Sequence, residues 1–513
     1  MIDKDTPTGN SLYNSQLFLD DMLIEDHIRV ERVWHQPDKY LEPVMKPAHP
    51  WEGWCPCLYG TVLRIDGAFR MWYVGTRNSS RPCICYAESD DGVHWERPIL
   101  NLCSFDGNKQ NNIIIQSAHP EGFIDDCAVI YEPDDEWPFK LLYWDSMDVN
   151  PNNFSIDAVR SKDGIHFEPI GPVLPNWNDR FTAVTDKVGG KYRVYGRGNM
   201  LSRPGTDSED GSQAGVDESG KWKEIPWLTH YSLGKFPRKR PVVYTESEDF
   251  IHWSPEELVF KTSTDDPYQM QIYSISPFYY EGVWLADLLR MHVVPDVLDP
   301  ELVWSYDGKD WQRSAQRKPF IPLGPKGSFD STWLNLATNP PILNQHQLWF
   351  YYSGRSGGHG ALFPEAYGAI GLATLRVDGF CSLQSCDHPG AVLTKPMTWI
   401  DGDLLLNVDP RRDITGHHTG GLADLGGMVS VEVRDEQNRP IDGFRFSDCN
   451  PIVKNTRNFD EDPVWSRPER DTLGVHSVTW RERRSIRELA GKRIRLFFEI
   501  QDAHLYSFRA SSV

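Results

Sequence analysis

Helical periodicity is nearly absent from this 513-residue chain, surfacing only around "RRSIRELAGK", and no apolar run approaches the ~20 residues of a membrane-crossing helix. The first absence excludes helical bundles and alternating α/β layouts; the second excludes a helical membrane anchor. The opening "MIDKDTPTGNSLYNSQLFLDD" has neither a basic start nor an apolar core, so no secretory signal is read there and a cytoplasmic location is expected. Cationic charge is scarce: 53 Lys+Arg face 73 Asp+Glu, a formal net charge of -20. Such a surface repels nucleic acid and anionic lipid, which sets both aside as partners. Neither H-E-x-x-H nor a paired C-x-x-C occurs, so no catalytic metal and no cofactor are expected, with room left for a structural calcium. The Gly-rich "SGRSGGHG" lacks the strand–GxxxxGK[ST]–helix setting of a phosphate loop. Nine cysteines cannot all pair with one another, and Cys55/Cys57 and Cys83/Cys85 sit in C-x-C spacings inside apparent strands. Alternation puts both thiols of each pair on one face, as expected of buried free thiols in a reducing compartment.

Aromatic residues are plentiful, with 19 Trp, 20 Tyr and 23 Phe, a composition that suits packed β-sheets and stacked sugar rings equally. One phrase recurs: "AESDDGVHWERP" (Ala87–Pro98), "VRSKDGIHFEPI" (Val159–Ile170), "TESEDFIHWSPE" (Thr245–Glu256) and "VWSYDGKDWQRS" (Val303–Ser314). Each copy follows a β-rich run such as "FRMWYVG". Its Asp accepts backbone N–H bonds in a tight turn, and the aromatic that follows packs beneath it, so the phrase ends a hairpin. The acids are Asp91, Asp163, Asp249 and Asp307, with a degenerate fifth copy at Asp378-Gly379, and the intervals run from 58 to 86 residues. Each interval holds a four-stranded antiparallel sheet, the size of a propeller blade, so five copies predict five blades. The polar stretch Arg203–Lys221 reads as an exposed loop. The fold expected is all-β: a five-bladed β-propeller over residues 1–389, its ring closed by a strand from "SQLFLDDMLIEDHIRV", followed by a small C-terminal β-sandwich over 390–513.

In this organisation the segment Leu17–Leu383 resembles the five-bladed-propeller glycosidases of families 32 and 43, and "LFLDDMLIE", "NNIII", "DGIHF", "IGLATLRVDGF" and "LYSF" resemble the proteins described as family 32 N-terminal-like. The resemblance implies an active site in an axial funnel, lined by the start of each blade's innermost strand, with three acids from the first three blades. Those strands begin near "PWEGWCPCLYGTVL", "FIDDCAVIYEP", "NDRFTAVTD", "YQMQIYSISPF" and "FDSTWLNLATNP". "DDCAVIYEP" resembles the family's R-D-P strand, which gives Asp126 the role of the acid that stabilises the transition state or tunes its neighbour, with Asp125 where an Arg is usual. The nucleophile motif meets "PCLYG" with no acid in register, leaving Glu52 as the nearest substitute; Asp179 stands where the third acid is expected, and Asp330 opens the last inner strand. Asp179 and Asp330 can equally be turn caps.

Glycoside cleavage needs one carboxyl to protonate the leaving oxygen and a second to attack the anomeric carbon or activate water, and clustered acids split their pKa values to allow it. Asp126, Asp179, Glu52 and Asp330 are the catalytic candidates. Asp125, Trp54, Arg197, Tyr273, Arg290, His292, Arg355 and His359 are the candidates for substrate binding. The Arg/His pairs suit a substrate carboxylate and hence an acidic sugar. The reading is therefore a glycoside hydrolase that removes a terminal sugar from an oligo- or polysaccharide. Three alternatives stay open: a phosphorylase like those of family 130, a sialidase, whose hairpin boxes carry an extra residue between Asp and Gly, and a carbohydrate-binding propeller without catalysis.

Overall fold

The computed structural model describes residues 8–75, 82–117, 122–146, 154–198, 240–267, 269–359, 366–385, 388–410, 427–453 and 475–511. The Arg203–Lys221 stretch lies outside them. Among the described residues regular structure is β-strand with short 3-10 turns and no α-helix. The one helical-looking stretch yields only the 3-10 turn Ile486–Leu489, and no helix is long and apolar enough to cross a membrane.

Three four-stranded antiparallel meanders come first. Sheet I runs through Cys57–Ile65, Ala68–Gly75, Cys83–Ser89 and Ile113–Gln116. Sheet II uses Phe123–Tyr131, Phe139–Ser146, Phe154–Ser161 and Phe167–Pro175. Sheet III uses Phe181–Ala183, Tyr192–Arg197, Val242–Ser247 and Glu257–Phe260. Two further groups, sheet IV (Met270–Tyr280, Val283–His292, Val297–Ser305, Gln312–Arg313) and sheet V (Trp333–Leu336, Gln347–Arg355, Gly368–Arg376, Asp38–Lys39), join through one parallel pairing of Leu298 with Trp333. The first strand of sheet I packs on that of sheet II, II on III and III on IV, while the first strand of V returns to that of I.

The repeated phrase is the turn after the third strand of sheets I to IV. In sheet II the Asp163 carboxylate accepts from the backbone N–H groups of Ile165 (2.9 Å) and His166 (2.8 Å), and Ser161 Oγ accepts from Gly164 N. The same pattern recurs at Asp91, Asp249 and Asp307. Each of three turns is also held by an aromatic of the preceding sheet's second strand. Tyr351 Oη donates to Gly92 O, Trp72 Nε1 to Gly164 O and Tyr195 Oη to Gly308 O. Gly164 has φ +80°, and a Cβ there would meet Phe139 and Trp72 at 3.0 Å, so the position needs glycine twice over. The third copy writes Phe250 instead, at φ 71°, and recovers the strain by burying its ring against Tyr192 at 5.2 Å. At the fifth, Asp378 has no Ser two places before it. Its carboxylate accepts from Tyr280 Oη (2.7 Å) and Ser507 Oγ (2.6 Å), tying sheet IV to the C-terminal strands.

The opening segment "SQLFLDDMLIEDHIRV" does not extend sheet V. Gln16–Leu17 pairs with His504–Ala510, Ile24–Ile28 with Gly390–Thr394, and Val30–Trp34 with Cys381–Ser385. Asp38–Lys39 is the strand added to Gly368–Arg376. Both chain ends thus contribute to two six-stranded sheets around one core that includes Phe18, Trp399, Trp480, Phe498 and Phe508. That unit reaches upstream of Gly390, because without the N-terminal strands its edges would stand unpaired.

Candidate functional site

Most of the candidate residues gather at the starts of the first strands, and three of these strands bulge there. In sheet I the register slips between Cys57 and Thr61, so Leu58, Tyr59 and Gly60 face a single partner position. Gly60 is required, since a Cβ would lie 2.0 Å from the Trp72 carbonyl oxygen. In sheet II, Asp125 and Asp126 together oppose Trp144. In sheet IV, Tyr273 is the extra residue between the pairs Ile272–Arg290 and Ser274–Leu289. A bulge re-aims side chains that strict alternation would send to opposite faces. Accordingly Asp125 lies within electrostatic reach of Asp126, Cys57 and Tyr273.

Asp126 is 1% exposed. Its carboxylate accepts from Arg180 Nη1 at 2.9 Å and from Phe181 N at 3.1 Å. Burial pushes its pKa up to about 8 against the pull of Arg180, and the like charges of Asp125 and Asp179 add to the rise. Arg180 lies 4.3 Å above the Tyr59 ring centroid. Asp179, partly exposed, pairs with Arg197 Nη2 at 2.8 Å. Arg355 stands 4.1 Å over Trp333, 5.4 Å from Trp54 and 5.7 Å from Tyr59. His359 stacks on Trp333 at 5.4 Å and meets the Tyr273 ring edge-on at 5.5 Å. Arg240 lies 5.2 Å over Tyr273. Burial and the like charge of Arg197 lower its pKa.

Two thiols stand beside Arg355. Burial opposes ionisation of Cys57, but the hydrogen bond from Cys55 and the Arg355 charge, whose Nη2 lies 3.5 Å from Sγ, bring the thiol down to about 6. Cys55 is displaced upward by its bond to Cys57 and by burial.

Of the residues singled out from the sequence, Asp125, Asp126, Asp179, Arg197, Tyr273, Arg355, His359 and Trp54 come together here. Four lie elsewhere. Glu52 is fully buried and accepts from Ala48 N, His49 N, Tyr73 Oη and Arg97 Nε. Asp330 accepts from Lys39 Nζ (2.7 Å), Tyr352 Oη and Ser328 Oγ, which anchors the strand added to sheet V. Arg290 binds Asp299 and Glu301, and His292 lies 3.2 Å from Asp299, so both side chains are engaged on the second strand of sheet IV. Tyr59, Arg180, Arg240, Trp333 and Cys57 were not anticipated. Tyr59, Arg180, Trp333 and Cys57 fall inside the strand-start phrases, so position along the strand was the available signal.

Among the described residues no group of three or more His, Cys, Asp or Glu is disposed to hold a metal ion. A cleft of about 470 Å³ beside Phe260, Trp311, Arg313 and Arg317 lies on the fourth strands of sheets III and IV, away from this cluster. Its two arginines already bind Asp266 at 2.6 and 2.5 Å. Size alone does not make it the site, because the converging acids and unfilled donors lie at the strand starts.

No family model and no curated protein matches the sequence. In structure the chain is similar to an N-acetylgalactosamine deacetylase from F. plautii in complex with blood group B trisaccharide, at 15% identity and TM-score 0.41, over 72% of this chain and 96% of that one. It is also similar to an α-L-arabinofuranosidase from Podospora anserina (10% identity, TM-score 0.42, 66% and 96% covered) and a glycosyl hydrolase from Bacteroides ovatus (12%, 0.42, 71% and 97%). Further similar structures are glycoside hydrolases, among them two more from Bacteroides ovatus and Parabacteroides distasonis. At these TM-scores the likeness fixes neither an activity nor a site.

Proposed function

We propose that sheets I to V are the blades of a five-bladed propeller, that the two terminal sheets form a β-sandwich beside it, and that the chain is a glycoside hydrolase removing a terminal sugar at the ring's axis. The observation that carries the reading is the convergence of Asp125, Asp126 and Asp179 with Tyr59, Tyr273 and Trp333 at the starts of the first strands.

Burial divides the acids. Asp126 has both oxygens committed, one to Arg180 Nη1 and the other to Phe181 N; it sets the field in which its neighbours work. Asp125 and Asp179 are partly exposed, so they divide the two tasks of glycoside cleavage. Asp179, ion-paired to Arg197, serves as nucleophile or base, and Asp125 as the proton donor to the leaving oxygen. Trp333, buried with Arg355 over its ring and His359 stacked on it, and Trp54 hold those two side chains in place from beneath the site. Glu52 and Asp330, with their oxygens committed to internal bonds, maintain the scaffold.

The gathered guanidiniums favour one second reading, a phosphorylase using phosphate in place of water. A screen of terminal α- and β-glycosides, each run with and without inorganic phosphate and resolved by chromatography, tests both. Free sugar released without phosphate, and lost in Asp179→Asn and in Asp125→Asn, is the expected result. Sugar phosphate formed only when phosphate is present moves the assignment to the phosphorylase. Wild-type turnover retained by both variants overturns the site.

A further inference from the structure

The strand-start cluster contains buried hydrogen-bond donors with nothing to bind. Arg180 uses Nη1 on Asp126, but its Nε and Nη2 are buried without a partner. Arg355 Nε, Trp54 Nε1 and Tyr59 Oη are buried in the same state. Arg180 is 3% exposed, Tyr59 3% and Trp54 8%. A buried charged donor left unmade is costly, and native structures seldom retain one without a use. Four of these five atoms can only donate; the Tyr59 hydroxyl can donate as well. Their complement is a group rich in acceptor oxygens.

Arg240, partly exposed and 5.2 Å over Tyr273, lies in the field of Arg197 and has no ion pair among the described residues. In a chain of formal charge -20, four guanidiniums, those of Arg180, Arg197, Arg240 and Arg355, gather beside the three carboxylates of Asp125, Asp126 and Asp179. The pair of atoms left open on Arg180, Nε with Nη2, is the side-on edge of the guanidinium, whose spacing matches the two oxygens of a planar carboxylate.

We propose that this site recognises an oxyanion carried by the saccharide itself, a uronate-type carboxylate held by Arg180 and Arg355 with Arg240 at its approach. The inference rests on the carbohydrate reading above and names its substrate class. It does not rest on the Arg290/His292 pair, which is occupied by Asp299 and Glu301.

Calorimetric titration of the wild-type chain with galacturonate and glucuronate oligosaccharides, each against its own methyl ester, tests the proposal without requiring turnover. The free acid should bind tighter than its ester by on the order of tenfold or more, and the difference should shrink as salt is raised. Arg240→Gln and Arg355→Gln should each remove most of that preference while leaving far-ultraviolet circular dichroism unchanged. If a variant misfolds, the wild-type acid-to-ester ratio decides alone. Equal binding of acid and ester, or no binding by any uronate, overturns the proposal. Binding of inorganic phosphate that uronates do not displace also overturns it, by assigning the oxyanion to a free co-substrate. Hydrolysis of neutral glycosides without uronate preference sinks this inference and leaves the hydrolase standing; uronate binding without hydrolysis does the reverse.

Discussion

Asp126→Asn tests the centre of the site, because one side chain there joins two strands and sets the field for two other acids. The carboxylate accepts from Arg180 Nη1 at 2.9 Å and Phe181 N at 3.1 Å, both buried. An asparagine of the same shape keeps one acceptor and turns an N–H₂ toward the other donor. It also leaves Arg180, 3% exposed, without its counter-charge. Removing one partner of a buried ion pair costs ~3–5 kcal/mol, and an unmet buried donor ~1–3 kcal/mol. Against this, the variant no longer has to bury a carboxylate that burial has already pushed up to about 8. A net loss of about 2–4 kcal/mol is expected, read from the midpoint of urea unfolding by tryptophan fluorescence at pH 9, above the raised pKa, where the pair is ionised. The double variant Asp126→Leu/Arg180→Met, which replaces the pair with apolar groups, should recover most of the loss, to within ~1–2 kcal/mol of wild type. Turnover of the glycoside identified by the screen should fall by ~10²-fold or more in the single variant. An Asp126→Asn protein as stable as wild type, or a double variant showing only the sum of the single losses, refutes the argument that this pair is buried and mutually dependent.

The remaining predictions concern turns, pH and the bulge. Asp163→Asn should lower stability by roughly 0.5–2 kcal/mol, the scale of a lost turn cap, with turnover unchanged; a turnover loss matching that of Asp126→Asn would place the hairpin acids at the substrate instead. Gly164→Ala should cost ~2–4 kcal/mol, from a left-handed alanine plus overpacking against Phe139 and Trp72, whereas Gly189→Ala, at φ +60° with nothing within 4 Å, should cost only ~1 kcal/mol; equal losses contradict the packing argument. The repeat acids Asp91, Asp163, Asp249 and Asp307 have lowered pKa values, Asp91 and Asp249 chiefly through the His94 and His252 hydrogen bonds and Asp163 and Asp307 through turn bonds that outweigh burial. Their stabilisation is complete above the ordinary carboxylate pKa and is lost as pH falls through the lowered values. Asp126 and Asp287 are raised by burial to about 8 and about 7, so theirs is present at low pH and lost as pH rises through those values. Urea midpoints should therefore peak near pH 4 and decline from there to about pH 8, with the decline smaller in Asp126→Asn; a midpoint rising steadily to pH 9 contradicts both assignments.

The sequence by itself determined the local units. A Ser, an Asp and a Gly within four residues suffice to make the turn, because the carboxylate reaches backbone N–H groups two and three places on and only glycine takes the left-handed φ under a neighbouring ring without strain. That is why the hairpin ends and the strand starts at Asp126, Asp179 and Tyr273 were legible as text. Tertiary structure alone decided which side chains meet. Whether Asp125 and Asp126 can serve one site depends on a bulge, and a bulge depends on the register against Trp144, which no local pattern states. Glu52, Asp330 and Arg290 stood as candidates in the sequence beside Asp126, which alone matched a strand motif of the resembled family. Their commitment to Arg97, Lys39 and Asp299 arises from cross-strand or distant pairings, up to 291 residues apart for Lys39 and Asp330, that chain order does not record. The opening segment followed the same rule: "SQLFLDDMLIEDHIRV" and Asp38–Lys39 both form strands, and the edges left open by the C-terminal sheets determined which sheet each joined.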